Sequence, residues 1–513
     1  MSARAPPRPD TATHPEHRMY FNFATALSDA ARLRPDKPFV VTREAPHTFA
    51  ELERRAGRAA AVLASRGVTE GSRIGLRLPN VVDFVPYYFA LLARGATVLP
   101  MNPAATAREV GHIVDDADVD AVITLPTDPL EPEPPAPLWP LDALVAEEES
   151  HPASFTPLPV PNDATAVVLY TSGSTGVPKG VELSHLNLLL TPLLGDATES
   201  GDETDVLYAV LPLYHVFGLS ELLNGGVLRR QTLVLRERFS VTDLLDAIER
   251  HRITDLYGVP TMYHALVNAD FEGRDLTSVT AATSGGAPMA PEQIRLIREA
   301  LPNADYVEGY GLTETGGGGT ANGGAFGFRH GSVGRAVVGA AIRVVDADGR
   351  DLPPGPDHVG EVLFGGPLVM KGYIGRPEET AEAIRDGWLH TGDLGRLDEN
   401  GYLYIVGRSK ELIIRGGLNV YPNEIEAVLV EHPQVCLAAV VGRPDDHYGE
   451  EVVAFVVPEE GQSPFSTADL VAYAGSRLAP YKLPRQVLLK GSLPVGPTGK
   501  IDKRALAAEL REM

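Results

Sequence analysis

An α/β fold is what the sequence predicts: a large doubly wound body, a β-rich subdomain, and a small mobile α+β domain at the C-terminus. Three observations carry it. Over residues 21–115, helical segments alternate with short apolar runs, the pattern of strand–helix units on a mostly parallel sheet covered on both faces. The alternation resumes at Ala166-Val167-Val168-Leu169-Tyr170. Beyond Val333, short strands between Gly and Asp turns replace it, and from Arg408 onward helices and strands mix.

Taken in order, residues 25–33 and 49–66 carry the helical period, and residues 73–78 and 96–100 read as strands. Between Leu125 and Asp163, eleven prolines and the run Glu147-Glu148-Glu149 predict an irregular surface connection. Strands are expected at 166–170, 205–211, 232–235 and 254–257, with a helix over 241–251. Residues 333–407 form the β-rich subdomain, with strands at 341–345, 360–364 and 402–406. The C-terminal domain, 408–513, has a helix at 422–431, a strand pair at 437–441 and 451–457, a helix at 466–478 and a strand at 486–489. Residues 1–18 read as a disordered leader before a body spanning 19–407.

Composition narrows the function. Gly and Pro supply 51 and 43 of 513 residues, short of the ~25–30% at which disorder becomes the default. A net charge of −23 excludes general attraction to nucleic acid or anionic lipid, so an anionic substrate must meet a local cluster of cations. The single Cys436 excludes a disulfide framework and any Cys-rich metal spacing, and its apolar neighbours predict a buried strand thiol. The most apolar stretch, Asp83 to Met101, is interrupted by Arg94 and Gly95, so no span of ~20 apolar residues is present and a cytoplasmic protein is expected.

The strongest local signal is Thr171-Ser172-Gly173-Ser174-Thr175-Gly176-Val177-Pro178-Lys179-Gly180, directly after the apolar run Ala166–Tyr170. Glycines let backbone N–H groups approach phosphate oxygens, hydroxyls add hydrogen bonds, and a lysine supplies countercharge. It is not the P-loop pattern, because Gly180 follows Lys179 and Pro178 obstructs the helix that should start there.

This segment resembles the nucleotide loop of the adenylate-forming enzymes, the acyl-CoA synthetases, peptide-synthetase adenylation domains and firefly luciferase. Five further segments match in the family's order: Ser284-Gly285-Gly286-Ala287-Pro288, Tyr310-Gly311-Leu312-Thr313-Glu314, Thr391-Gly392-Asp393-Leu394-Gly395, Gly407-Arg408-Ser409-Lys410-Glu411 running on to Gly416-Gly417-Leu418-Asn419, and Pro497-Thr498-Gly499-Lys500-Ile501. The resemblance covers about residue 20 to the end. It implies that a carboxylate attacks the α-phosphorus of ATP to give an acyl-adenylate and pyrophosphate, after which a thiol displaces AMP. Two anions must meet, which makes positioning and electrostatic stabilisation the main task.

By position, the resemblance implies that Glu314 holds Mg²⁺, Thr313 contacts the phosphates, and Lys500 bridges carboxylate and α-phosphate in the first step. Asp393 would take both ribose hydroxyls with Arg408 as helper, and Tyr310 would stack on adenine opposite Gly286-Ala287-Pro288. Lys410 stands at the hinge about which the small domain turns between half-reactions, and Gly416 and Gly417 border the thiol path. His215 and Phe217, in Pro212-Leu213-Tyr214-His215-Val216-Phe217-Gly218, resemble the acyl-site His and aromatic of fatty-acyl, aryl and luciferase-type members. With Ser284, Gly285, Gly311, Gly316 and Gly317 they would line the acyl pocket.

No Asp lies between Leu211 and Asn224, the region where the similar peptide-synthetase adenylation domains carry one, which disfavours an amino-acid substrate, and Gly309 stands where malonyl-CoA synthetases carry Arg, which disfavours a short diacid. The run Gly316-Gly317-Gly318-Gly319 departs from the family; it either leaves room for an extended aliphatic chain or forms a mobile loop. The expected function is ATP-dependent activation of a medium- or long-chain fatty acid and its transfer to the phosphopantetheine thiol of CoA or of an acyl carrier protein. Aryl- or amino-acid activation and a non-catalytic acyl- or nucleotide-binding paralogue are the alternatives.

Overall fold

In the computed structural model, residues 19–127, 130–171, 177–196, 201–289, 291–324, 327–445, 447–459, 466–495 and 501–512 are described. The expected leader 1–18 lies outside them. The wound body is built on two sheets, where local alternation alone suggested one. A nine-stranded sheet runs Arg335–Ala336, Gly319–Asn322, Asp305–Gly311, Ala281–Gly285, Asp255–Gly258, Val206–Ala209, Thr232–Leu235, Pro38–Val41, Pro46–Thr48. It is parallel from Asp305–Gly311 to Pro38–Val41 and antiparallel at both ends. A seven-stranded sheet runs Gly372–Tyr373, Lys179–Ser184, Thr165–Thr171, Thr97–Pro100, Arg73–Arg77, Ala121–Thr124, Leu138–Pro140.

Both sheets share one core. The helix Phe84–Ala93 is buried at every position, which explains why that stretch is apolar all round without spanning a membrane. Among the described residues no helix is long and apolar enough to cross a bilayer. Helix starts follow the side-chain chemistry: Thr48 and Glu51 form a reciprocal capping box at Phe49–Ser65, as Thr106 and Glu109 do at Ala107–Ala117.

The proline-rich connection differs from expectation. It contains the strand Leu138–Pro140 and the helix Leu141–Glu148, whose Leu141 and Leu144 are buried. Prolines bracket this helix without entering it.

A five-stranded sheet of Ala341–Val345, Gly360–Gly365, Trp388–Leu397, Ile384–Arg385 and Leu403–Arg408 forms the β-rich subdomain. Arg408 is its last paired residue, opposite Asp393. The chain then passes through the short 3₁₀ turn Ser409–Glu411 into the small domain. There Ile413–Arg415, Leu418–Val420, Val435–Asp445, Gly449–Pro458 and Gln486–Leu489 form one sheet, with the helices Pro422–Val430, Thr467–Gly475 and Lys503–Glu512 in the same unit. Its apolar residues form clusters separate from the core of the body.

Candidate active site

The expected nucleotide residues gather where the parallel strands of the nine-stranded sheet end, the position at which open α/β sheets bind ligands. Ser284 and Gly285 close the strand Ala281–Gly285, in register with Glu308 and Gly309, so Tyr310 and Gly311 project one step further on the adjacent strand. Gly286, at φ +83°, Ala287 and Pro288 continue as exposed backbone.

Asp393 is only 3% exposed, and it faces Arg408 across the antiparallel register. Arg408 Nε forms an ion pair with its Oδ1 at 2.9 Å, and the Tyr310 hydroxyl donates to Oδ2 at 2.5 Å. Burial, reinforced by the Asp393 charge, pushes the Tyr310 phenol well above its ordinary value and keeps it a donor. The Tyr310 ring leans on Phe364 at 5.8 Å between centroids. Three residues assigned to adenine and ribose are therefore linked through the Asp393 carboxylate.

Glu314 is positioned by a tight turn. The Leu312 N–H donates to Thr315 Oγ1 at 3.0 Å and the Gly317 N–H to Leu312 O at 2.9 Å, which folds the chain back over Gly311. Thr313–Thr315 is one 3₁₀ turn, with Thr313 and Glu314 half-buried. The Met370 N–H donates to Glu314 O at 2.8 Å, and the Tyr373 hydroxyl donates to Glu314 Oε1 at 3.0 Å. Burial, then the Glu314 charge, raise the Tyr373 phenol, so it too remains a donor.

Tyr373 belongs to the edge strand beside Lys179–Ser184. Lys179 Nζ stands 5.0 Å over its ring and pairs with Glu379. Tyr373 thus joins the lysine that ends the phosphate loop to the carboxylate assigned to the metal. The loop residues Ser172, Gly173, Ser174, Thr175 and Gly176 lie outside the described residues, flanked by Thr171 and Lys179. Neither Tyr373 nor Glu379 was singled out from sequence; in Lys371-Gly372-Tyr373 only the tyrosine bears on the site, and no neighbouring residue type marks it.

A Cβ on Gly311 would stand 2.1 Å from Gly317 O. Gly311→Ala must therefore displace the turn that carries Glu314. Pyrophosphate release is expected to fall about 100-fold, since displacement by an ångström near reacting groups costs that much. Steady-state kinetics with an unchanged far-UV spectrum checks it.

On the acyl side, Phe217 lies against Gly285, where a Cβ would come within 3.1 Å of its ring, and stands edge-on to Tyr257 at 6.2 Å. His215 is half-buried, and its Nδ1 accepts the Phe217 N–H at 3.3 Å. The glycine run is closely packed. Ser220 Oγ donates to Gly316 O at 2.7 Å; a Cβ on Gly316 would lie 2.6 Å from Thr191 Oγ1, and one on Gly318 3.1 Å from Thr191 Cγ2. Gly317, at φ +99°, faces Val216, and Gly319 already belongs to a strand. A loose loop is not what is found there.

Lys410 is exposed within Ser409–Glu411, while Lys503 Nζ reaches Glu411 at 3.2 Å and Glu426 at 2.9 Å. Gly416 and Gly417 are exposed, and a Cβ on Gly417 would meet nothing within 4 Å. Lys500 lies outside the described residues, just before the bridge of Ile501 to Val495.

Residues 27–374 match the AMP-binding enzyme family, and residues 424–500 match the AMP-binding enzyme C-terminal domain. The chain belongs to the AMP-binding enzyme family. A long-chain-fatty-acid–CoA ligase of Bacillus subtilis (strain 168) is 33% identical to this AMP-binding enzyme over 531 residues, covering 95% of the chain and 94% of the relative. A feruloyl-CoA synthase of an Amycolatopsis species is 36% identical over 485 residues, covering 92% and 96%. The crystal structure of the anthranilate CoA ligase AuaEII in complex with anthranoyl-AMP matches with a TM-score of 0.90 at 26% identity, covering 96% of this chain and 97% of that one. The resemblance to adenylate-forming enzymes is borne out, and this AMP-binding enzyme is an acid–thiol ligase.

Proposed function

We propose that the enzyme uses ATP to convert an apolar monocarboxylic acid, foremost a fatty acid, to its acyl-adenylate with release of pyrophosphate, and then passes the acyl group to the thiol of CoA. The observation that carries this is the contact at Tyr373, through which Glu314 and Lys179 share one side chain close to the Tyr310, Asp393 and Arg408 unit.

In this reading Asp393 accepts from the ribose hydroxyls, for which two carboxylate oxygens are suited. Tyr310 presents its ring to adenine, and Thr313 and Lys179 meet phosphate oxygens. Glu314 would hold Mg²⁺. A half-buried carboxylate with one oxygen fixed by a hydroxyl fits an ion that keeps most of its shell as phosphate and water. When bound, the ion supplies countercharge to the phosphates. Lys500 would bring a further cation to the α-phosphate, and the small domain would turn about Lys410 to bring Gly416 and Gly417 beside the thiol path. CoA is preferred to an acyl carrier protein because the relatives are named CoA ligases and synthases, and because a chain of net charge −23 offers an acidic carrier no general attraction.

The acyl side favours an uncharged tail. Phe217, Val216 and the glycine run are apolar, which leaves His215 as the one titratable side chain assigned to this pocket. An aryl acid is the second reading, favoured by the aromatic pair of Phe217, which lies against Gly285, and Tyr257, edge-on to it. Pyrophosphate release over fatty acids of increasing length, ferulate, anthranilate, malonate and amino acids decides between them. Highest kcat/KM for a fatty acid upholds the proposal, highest kcat/KM for an aryl acid upholds the second reading, and highest kcat/KM for malonate or an amino acid overturns both.

Gly318 tests the acyl wall better than Gly317, whose left-handed φ makes any substitution strained. Gly318→Val is expected to shift preference toward shorter acids by about tenfold, the effect of one or two methylenes in an apolar pocket. An unchanged chain-length profile removes the run from the acyl site.

A further inference from the structure

The contact between the body and the small domain brings together three side chains of metal-binding type. His264 lies on the helix Pro260–Val267 of the body. Cys436 and Glu459 belong to the small domain, beside the strand pair Val435–Asp445 and Gly449–Pro458. That ladder shifts register between Val435 and Leu437, which makes Cys436 the extra residue of a bulge, and bulges re-aim side chains. The thiol expected to be buried in a strand is therefore half-buried, with Sγ 3.2 Å from His264 Nε2. The Glu459 N–H donates to Gln434 O at 3.0 Å, which brings Glu459 alongside the same bulge. One ligand atom from each of the three lies within 4.8 Å of the others.

Thiolate, imidazole and carboxylate together are a donor set for zinc. A tetrahedral ion with bonds of about 2.0–2.3 Å sets its ligand atoms roughly 3.5 Å apart. His264 and Cys436 already stand close to that spacing, and rotation of the long Glu459 side chain closes the rest. Hard ions such as Mg²⁺ require an oxygen shell that this set does not offer. Of the outer contacts, Asn268 Nδ2 lies 3.1 Å from His264 Nε2 and must turn aside for an ion, while Gln293 suits a ligating histidine. Gln293 Nε2 is 3.1 Å from His264 Nδ1, and turning that amide over presents its oxygen to an Nδ1–H, the support metal-bound imidazoles use.

We propose that His264, Cys436 and Glu459 form a zinc-class site that joins the two domains and holds them in this arrangement. One ligand comes from the body and two from the small domain, so the small domain cannot turn without breaking a metal bond. The consequence for turnover rests on the proposed reading that thiol transfer needs that turn; a soft divalent ion would then slow thiol transfer and spare adenylation.

Cobalt serves as the probe. The full-length protein, freed of metal with a chelator and titrated with Co²⁺, is expected to bind one equivalent with a near-ultraviolet thiolate charge-transfer band. Cys436→Ser should abolish the band, and His264→Gln should weaken Co²⁺ binding about tenfold or more. Absence of the band, or unchanged affinity in His264→Gln, overturns the site. With Mg²⁺ supplied and no zinc or cobalt added, both variants should release pyrophosphate at the wild-type rate, which reports that they fold. Added Zn²⁺ should then slow thiol transfer from supplied acyl-adenylate about tenfold in wild type and not in His264→Gln. Equal inhibition of both, or of neither, overturns the latch even where the cobalt band stands. Failure of the underlying domain turn is read separately, from the half-reactions of Lys500→Ala.

Discussion

Asp393→Ala is expected to raise the KM for ATP about 100-fold while leaving the KM for the acid within about threefold. The wild-type carboxylate is buried, accepts from the Tyr310 hydroxyl and pairs with Arg408 Nε at once. In the proposed complex the same two oxygens accept from ribose. Charge-assisted hydrogen bonds contribute about 1.5–3 kcal/mol each, and a factor of 100 corresponds to about 2.7 kcal/mol, so the loss of one or two such bonds suffices. Removing the carboxylate also leaves a buried phenol and a guanidinium without their shared partner, a cost borne by the strand pair itself. Tyr310→Phe separates the two effects, since it removes only the hydroxyl and keeps the ring for adenine. It should raise the KM for ATP by less than about tenfold. An ATP KM within threefold of wild type in Asp393→Ala removes Asp393 from the nucleotide site.

Asp393 and Arg408 were singled out because each sits in a short segment that resembles a family motif, and the structure adds that they are cross-strand partners. Tyr373 was not legible for the opposite reason. Its place beside Lys179 follows from Gly372 pairing with Glu182 at the edge of a sheet, a contact between segments far apart in the chain. Local periodicity finds strands but not their partners. The same limit explains the body: Pro38–Val41 pairs with Thr232–Leu235, far along the chain, which places it in a different sheet from Arg73–Arg77. Composition misled at residues 125–163, where prolines that bracket a helix resembled prolines that forbid one. Cys436 went astray through a bulge, a one-residue slip with no signature in Val435-Cys436-Leu437.

The acidic composition acquires a sharper meaning at the site. Lys179 is held by Glu379 and Arg408 by Asp393, so neither cation can turn wholly toward phosphate without giving up a carboxylate. Nucleotide binding must therefore exchange partners as well as add charge, and a cation delivered from elsewhere carries a larger share of the work.

Lys500 is that cation in the proposed mechanism, and Lys500→Ala is expected to lower adenylate formation about 10³-fold while changing thiol transfer from supplied acyl-adenylate by less than about threefold. The asymmetry follows from where charge builds up. In the first half-reaction a carboxylate approaches a phosphorus surrounded by anionic oxygens, and stabilisation there counts only while that transition state forms. In the second, a thiol attacks an acyl carbon and AMP departs, so the lysine's distance from the α-phosphate no longer limits the rate. Gly416 and Gly417, exposed in the present arrangement, are the residues that must reach the site instead. Measuring pyrophosphate release with acid and ATP, and separately AMP release from acyl-adenylate and CoA, resolves the two steps. Equal loss of both would mean that Lys500 serves one unchanging site, and the small domain would then have no reason to turn.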